Sequence, residues 1–174
     1  MEAKEVIKIL KREGIGVLPT DTIYGLVGLA KSKKVIERIY KVKRRKKDKP
    51  FLILLSSVND LRLFDIKPEK EPFSFLKKIW PGKVSIIFPI NSKRLFYLHR
   101  GKNSLCFRIP DNFLLRRIIS KTGPLVAPSA NIENMPPAEN IKQAKKYFNK
   151  KVDFYFNKGT IKKRPSIILE VKRG

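Results

Sequence analysis

The chain has 174 residues, 42% of them hydrophobic, and 40 Lys and Arg against 15 Asp and Glu give a formal net charge of +25. That length suits one domain, residues 1–174, with a real core, and the longest apolar runs, such as 51–55, fall far short of the roughly 18 residues of a membrane-spanning helix. So large a positive charge calls for an anionic partner and excludes no soluble function class on its own.

The N-terminus mixes both charge signs from Met1 onward, without an export signal, so a cytoplasmic protein with no membrane contact is expected. The single Cys106 cannot form an intramolecular disulfide and reads as a buried core residue in the apolar run 105–107. His99 is equally alone, and no CxxC or HExxH spacing is present, so no metal centre built from protein ligands is expected. The positive charge is concentrated. Residues 31–50 carry 11 cations against Glu37 and Asp48. Residues 142–164 carry nine against Asp153, which reads equally as an RNA-facing surface or as a solvated Lys-rich face.

Taken in chain order, Ala3, Val6, Ile7 and Leu10 form a helical stripe that Gly14 ends, and 15–18 reads as a short buried strand stopped by Pro19. After the apolar segment 23–30, Ser32 can cap a helix with Val35, Ile36, Ile39 and Tyr40 on its inner face, and Lys43 and Arg45 leave that helix just before a strand at 51–55. Short helices follow at 59–64 and 73–79. Trp80-Pro81-Gly82 then turns the chain into a strand at 84–90. A further strand, 105–109, precedes a helix capped by Asp111, with Leu114, Leu115, Ile118 and Ile119 inward and Gly123 at its end. Strand 125–127, helix 140–148 and strands 152–156 and 166–171 complete the chain. The alternation predicts a single α/β domain around a twisted, open, mixed parallel and antiparallel sheet with flanking helices.

Three polar segments beside apolar runs carry the chemistry: PTDTIYGL (19–26), KRRKKDKP (43–50) and APSAN (127–131). Thr20 and Thr22 place hydroxyls and amides at a strand end, and Gly25 permits close approach of a ligand; an ordinary turn has the same composition. Lys43-x-Arg45 offers an ammonium and a guanidinium to one phosphate chain, although in such a basic run any pair can equally be surface. Ser129-x-Asn131 follows Pro128, so hydroxyl and carboxamide can face the mouth of the sheet or cap a turn. Arg108 interrupts the apolar strand at 105–109, and a cation there needs an anionic partner or an exit to solvent.

The order and spacing of PTDTIYGL, KRRKKDKP, WPGKVSIIF (80–88), SLCFRIP (104–110), PLVAPSAN (124–131) and RPSIILE (164–170) closely resemble the YrdC/TsaC family of threonylcarbamoyl-AMP synthases in its short, single-domain form. The resemblance implies that L-threonine, bicarbonate or carbon dioxide, and ATP become threonylcarbamoyl-AMP and pyrophosphate, for later transfer to tRNA. It implies catalytic, phosphate-neutralising roles for Lys43 and Arg45. ATP contacts are implied for these two and for Lys49, Ser104, Ser129, Asn131 and Arg173. Threonine contacts are implied for Thr20, Thr22, Arg108 and Ser166. Mg²⁺ would arrive with the nucleotide, tRNA would touch the basic faces, and a tRNA threonylcarbamoyl-transferase complex would take the product.

Some positions depart from the family pattern. Leu54 stands where many relatives have histidine, Glu133-Asn134 replaces a Ser-Gly pair, Ser166-Ile167 replaces Ser-Thr, and the extra C-terminal domain of longer members is not expected here. Two rival readings stand beside this one: a double-stranded RNA or tRNA binding module without catalysis, and a carbamoyl-adenylate domain like those in hydrogenase-maturation proteins.

Overall fold

Eight short strands join into one mixed sheet in the computed structural model, which describes residues 1–67 and 73–171. The strands are β1 (Gly16–Pro19), β2 (Tyr24–Leu29), β3 (Leu52–Leu54), β4 (Val84–Pro89), β5 (Ser104–Arg108), β6 (Leu125–Val126), β7 (Phe154–Tyr155) and β8 (Ile167–Glu170). Their spatial order is β7-β1-β2-β6-β3-β5-β4-β8. Three parallel pairs, β1–β7, β3–β5 and β4–β8, are combined with four antiparallel pairs, β1–β2, β2–β6, β3–β6 and β4–β5, so the expected mixed sheet is what forms.

Helices cover both faces of this sheet. On one, α1 (Ala3–Lys11) and α5 (Phe113–Thr122) bring Val6, Leu10, Leu115, Ile118 and Ile119 against Leu18, Val27 and Leu125. On the other, α2 (Lys33–Lys43) and α6 (Ile141–Phe148) bury Val35, Ile36, Ile39, Ala144 and Phe148 in a larger core with Tyr24, Leu26, Ile53 and Phe107. The period-2 alternation of the strands feeds both layers: on β5, Leu105 and Phe107 point into the larger core, and Cys106 and Arg108 point the other way. Short helices α3 (Leu76–Ile79) and α4 (Phe96–His99) and four 3-10 turns fill the connections.

The approach of α2 depends on Gly28, where an added Cβ would lie 2.4 Å from Val35 Cγ1. Because α2 lies close to β2, its last residue, Lys43, reaches the chain beyond β6. Ser32 caps α2 as expected, accepting from Val35 N at 3.2 Å.

Three sequence expectations change. Asn112, not Asp111, caps α5: its side chain accepts from Leu115 N at 3.0 Å, whereas the Asp111 amide is taken by Asp21 Oδ2 at 3.1 Å. The segment between β4 and β5, assigned no element from sequence, forms a 3-10 turn (Lys93–Leu95) and α4. Cys106 is half-buried rather than in the core, because strand alternation turns it away from its apolar neighbours. His99 is a buried structural residue whose Nε2 reaches Ser92 O at 3.2 Å while Nδ1 accepts from Gly101 N.

Candidate active site

The first and third polar segments meet because β2 is bordered by the chain that leaves β6. Leu26 N donates to Pro128 O at 2.8 Å, Ala130 N donates to Tyr24 O at 2.9 Å, and Gly25 pairs across from Ser129. Beside this junction lies a cavity of about 290 Å³. Helices α1 and α5 cover the β1, β2 and β6 side of this sheet face. The cavity takes the other half, with Leu52, Ile87, Cys106 and Ile168 as an apolar floor. Thr20, Thr22, Gly25 and Ser129 form one wall, and Arg45, Phe51, Arg108 and Ser166 complete it. Of the residues named from sequence, Thr20, Thr22, Arg45, Arg108, Ser129 and Ser166 therefore share one cavity.

Arg108 is 2% exposed and pairs with Asp21 at 3.1 Å, an acid equally inaccessible at its side chain. Its second contact is a 3.3 Å hydrogen bond from Nη2 to Thr22 Oγ1. Burial pulls the Arg108 pKa down, and Asp21 opposes that pull. Among the described residues its buried Nε has no hydrogen-bond partner, so this guanidinium is not fully satisfied by Asp21 and Thr22. Sequence reasoning missed Asp21, although the signal was present: an acid between Thr20 and Thr22, and a lone Arg in an apolar strand that needed one.

The threonine pair is internally ordered. Thr20 Oγ1 donates to Ile23 O at 2.7 Å and accepts from the amides of Thr22 and Ile23. The two hydroxyl oxygens lie 3.1 Å apart. Thr22 Oγ1 accepts from Arg108 Nη2, which fixes it at the cavity wall. Ser166 is held by Ser85 through a 2.8 Å hydroxyl contact.

Lys43 and Asn131 stand behind the cavity wall. Lys43 is 1% exposed, and its ammonium donates to Ser129 O at 2.7 Å and to both Asn131 O and Asn131 Oδ1 at 2.8 Å. Ser129 Oγ also donates to Asn131 Oδ1, and the Asn131 amide donates to Met135 O. The Lys and the Ser-x-Asn pair thus form one buried hydrogen-bonded unit that shapes the loop. Burial draws the Lys43 pKa down to about 7, with the Arg45 charge adding and Glu133 opposing.

Arg45 follows Arg44, whose φ of 52° turns the chain out of α2. Its Nε and Nη2 reach Lys49 O and Pro50 O at 3.2 and 3.3 Å, and its guanidinium lies 5.4 Å from the Phe51 ring centroid. Lys49 is outside the cavity wall and pairs with Glu133 at 2.8 Å. Ser104 shares the pocket-side face of β5 but lies four residues from Arg108, beyond the wall. Arg173 lies outside the described residues.

Two family departures find places here. Leu54 is fully buried with Leu18 and Leu125, next to Arg108 across the β3–β5 register, so no imidazole reaches the cavity there. Asn134 has a φ of 68°, a left-handed backbone that Asn adopts readily, so the turn that glycine would make is kept. Cys106 forms part of the floor, and burial raises its thiol pKa to about 11, so at neutral pH it is a protonated wall residue.

A family model described as telomere recombination, covering Sua5, YciO and YrdC, matches residues 8–174. The threonylcarbamoyl-AMP synthase of Stutzerimonas stutzeri is 24% identical over 176 residues, 98% of this chain and 93% of that protein. That of Bacillus subtilis is 31% identical over 131 residues, 74% of this chain but 38% of the longer protein. P. abyssi Sua5 complexed with L-threonine shares the fold, with a TM-score of 0.88 and 23% identity over 97% of this chain and 50% of its own. This chain therefore spans half or less of the length of some relatives and nearly all of others. Residues 8–174 match as one unit, and the chain belongs to the Sua5/YciO/YrdC family.

Proposed function

We propose that this chain forms threonylcarbamoyl-AMP and pyrophosphate from L-threonine, bicarbonate or carbon dioxide, and ATP. The observation that carries the reading is the pair of cations in one cavity: Arg108, buried with an unpaired Nε, and Arg45, at the wall beside Phe51. Two anionic groups of different size fit such a pair. The threonine carboxylate goes to Arg108 and the ATP phosphates go to Arg45 and Ser129. The Thr22 hydroxyl beside Arg108 suits the threonine amine, with Ser166 at that end and Thr20 ordering the turn that presents Thr22. Lys43 and Asn131 hold the phosphate-facing loop.

In the reaction the threonine nitrogen attacks carbon dioxide, forming the N–C bond and releasing a proton. A carbamate oxygen then attacks the α-phosphorus as the bond to pyrophosphate breaks. Mg²⁺ enters with ATP and offsets phosphate charge. The protein orients the reactants and neutralises charge, so no side-chain nucleophile is needed, consistent with the protonated Cys106. The apolar floor of Leu52, Ile87 and Ile168 limits water around a labile carbamate.

The named relatives support this reading. Delivery of the product to a tRNA-bound transferase through the basic faces, in a cytoplasmic setting, completes the proposal. Among the described residues no helix is long and apolar enough to cross a membrane. The test is pyrophosphate release from Mg-ATP and bicarbonate, with and without L-threonine, followed by mass analysis of the nucleotide. A threonine-dependent product of threonylcarbamoyl-adenylate mass is expected. Arg108→Ala should raise the threonine requirement about 10- to 100-fold and Arg45→Ala the ATP requirement by a similar factor, the span of one or two charged hydrogen bonds. No turnover, with tight salt-sensitive binding of structured RNA, would instead favour the binding-module reading.

A further inference from the structure

We infer that Glu133 is a positioning residue: it latches residues 46–49 to the loop that carries Ser129 and Asn131, and so fixes Arg45 at the cavity wall. The inference rests on the synthase reading above. Glu133 makes three contacts across this junction, one to the end of α2 and two within residues 46–49. Its amide donates to Lys43 O at 2.9 Å, its Oε2 accepts from Lys46 N at 2.9 Å, and its Oε1 accepts from Lys49 Nζ at 2.8 Å. The Glu133 side chain is 12% exposed, against 48% for Lys49, so the carboxylate is the enclosed partner. Both of its donors hold it below the usual carboxylate range, Lys49 foremost.

The connection to the cavity runs through the backbone. Lys49, gripped by its side chain, presents the carbonyl that receives Arg45 Nε, and the next residue, Pro50, presents the one that receives Arg45 Nη2. The Lys49 carbonyl is held from α2 as well, by Tyr40 Oη at 2.9 Å, so loss of the Glu133 grip loosens the turn at 46–49 and lets these acceptors shift under the Arg45 guanidinium without freeing the whole segment. An ion pair whose lysine is about half exposed adds little to global stability. This one acts locally, by restricting a loop whose only side chain in the cavity wall before Pro50 is Arg45.

The latch makes a prediction opposite in sign to the simpler idea that Lys49 itself binds phosphate. If Lys49 were a phosphate ligand, Glu133 would compete for it, and removing the carboxylate would tighten ATP binding. If Glu133 and Lys49 work as one latch, removing either loosens ATP, and removing both adds nothing. The dissociation constants of Mg-ATP and of L-threonine are to be measured by calorimetry for the wild type, Glu133→Ala, Glu133→Gln, Lys49→Ala and the Ala double variant. Glu133→Ala and Lys49→Ala should each weaken ATP about tenfold, the double variant should match them within about twofold, and threonine should be unchanged. Glu133→Gln, which keeps an acceptor for Lys46 N, should recover part of the loss. Amide exchange in residues 44–49 should quicken in Glu133→Ala.

Equal or tighter ATP binding by Glu133→Ala, or additive losses in the double variant, overturns the latch and leaves the synthase reading standing. A wild type that binds no ATP overturns both. Should Glu133→Ala fail to fold, Glu133→Gln and Lys49→Ala carry the same comparison, since unchanged ATP binding by Lys49→Ala is equally fatal to the latch.

Discussion

Arg108 and Asp21 show what a charge costs in this fold. Removing one member of a buried pair leaves the other desolvated and unpaired, a loss of about 3–5 kcal/mol. Asp21→Asn keeps the side-chain shape and an acceptor for the Asp111 amide, so the expected loss isolates the charge. Urea denaturation should show a fall in unfolding free energy of about 3–5 kcal/mol. A change under about 1 kcal/mol would mean that Arg108 finds another counter-charge. Lys43 gives a pH test. Its folded pKa of about 7 lies below the ordinary lysine value of 10.5, so between these limits the unfolded chain binds more protons than the folded one. The penalty is therefore full below about pH 7 and is relieved as pH rises toward 10.5, with a slope of up to about 1.4 kcal/mol per pH unit. Stability compared between about pH 6 and pH 9 should rise more for the wild type than for Lys43→Met; equal changes would mean that Lys43 keeps its proton throughout.

At the scale of elements, helix starts are governed by single polar side chains. Ser32, Asn112 and Asn140 each accept from the amide three residues on, which satisfies a donor the helix cannot. Asn112→Ala should therefore destabilise by about 1 kcal/mol in thermal or chemical unfolding. Asp111→Ala should have a smaller effect, since that residue contributes its backbone amide and a loose 3.7 Å pairing with Arg116. Equal effects would return the cap to Asp111. Most elements were legible from periodicity because burial and period coincide: Val35, Ile36 and Ile39 on α2, and Leu105 and Phe107 on β5, face the core that their spacing implies. The Asp111–Asn112 choice was not legible, because both residues are good caps and only the pull of Asp21 on the Asp111 amide separates them. Helix α4 was missed because a single turn is too short to display a period.

For the whole molecule, a net charge of +25 sets the partners it can approach. The second basic stretch includes Lys145 with its ammonium 5.7 Å from the Tyr155 ring centroid, and Lys146 and Lys150 exposed beside it. We expect the triple reversal Lys145→Glu, Lys146→Glu and Lys150→Glu to weaken tRNA binding and to flatten its dependence on log salt by about one unit for every phosphate no longer neutralised. Adenylate formation should stay unchanged, because none of these three side chains lines the cavity. Unaltered affinity and slope would show that the face is merely solvated.

From its sequence alone, the chain's α/β class, its mixed sheet and the three polar segments of its site were determined, because apolar periodicity and turn residues act over a few positions. The tertiary structure decided which of those residues face the ligand space. Lys43 and Asn131 turned inward to satisfy buried carbonyls, Arg45 and Ser129 stayed at the wall, and Cys106 left the core by strand alternation. Asp21 and Glu133 acquired their roles the same way. A charge's partner depends on which segments the sheet order brings together, here across 87 positions from Asp21 to Arg108 and 84 from Lys49 to Glu133, distances over which local sequence carries no signal.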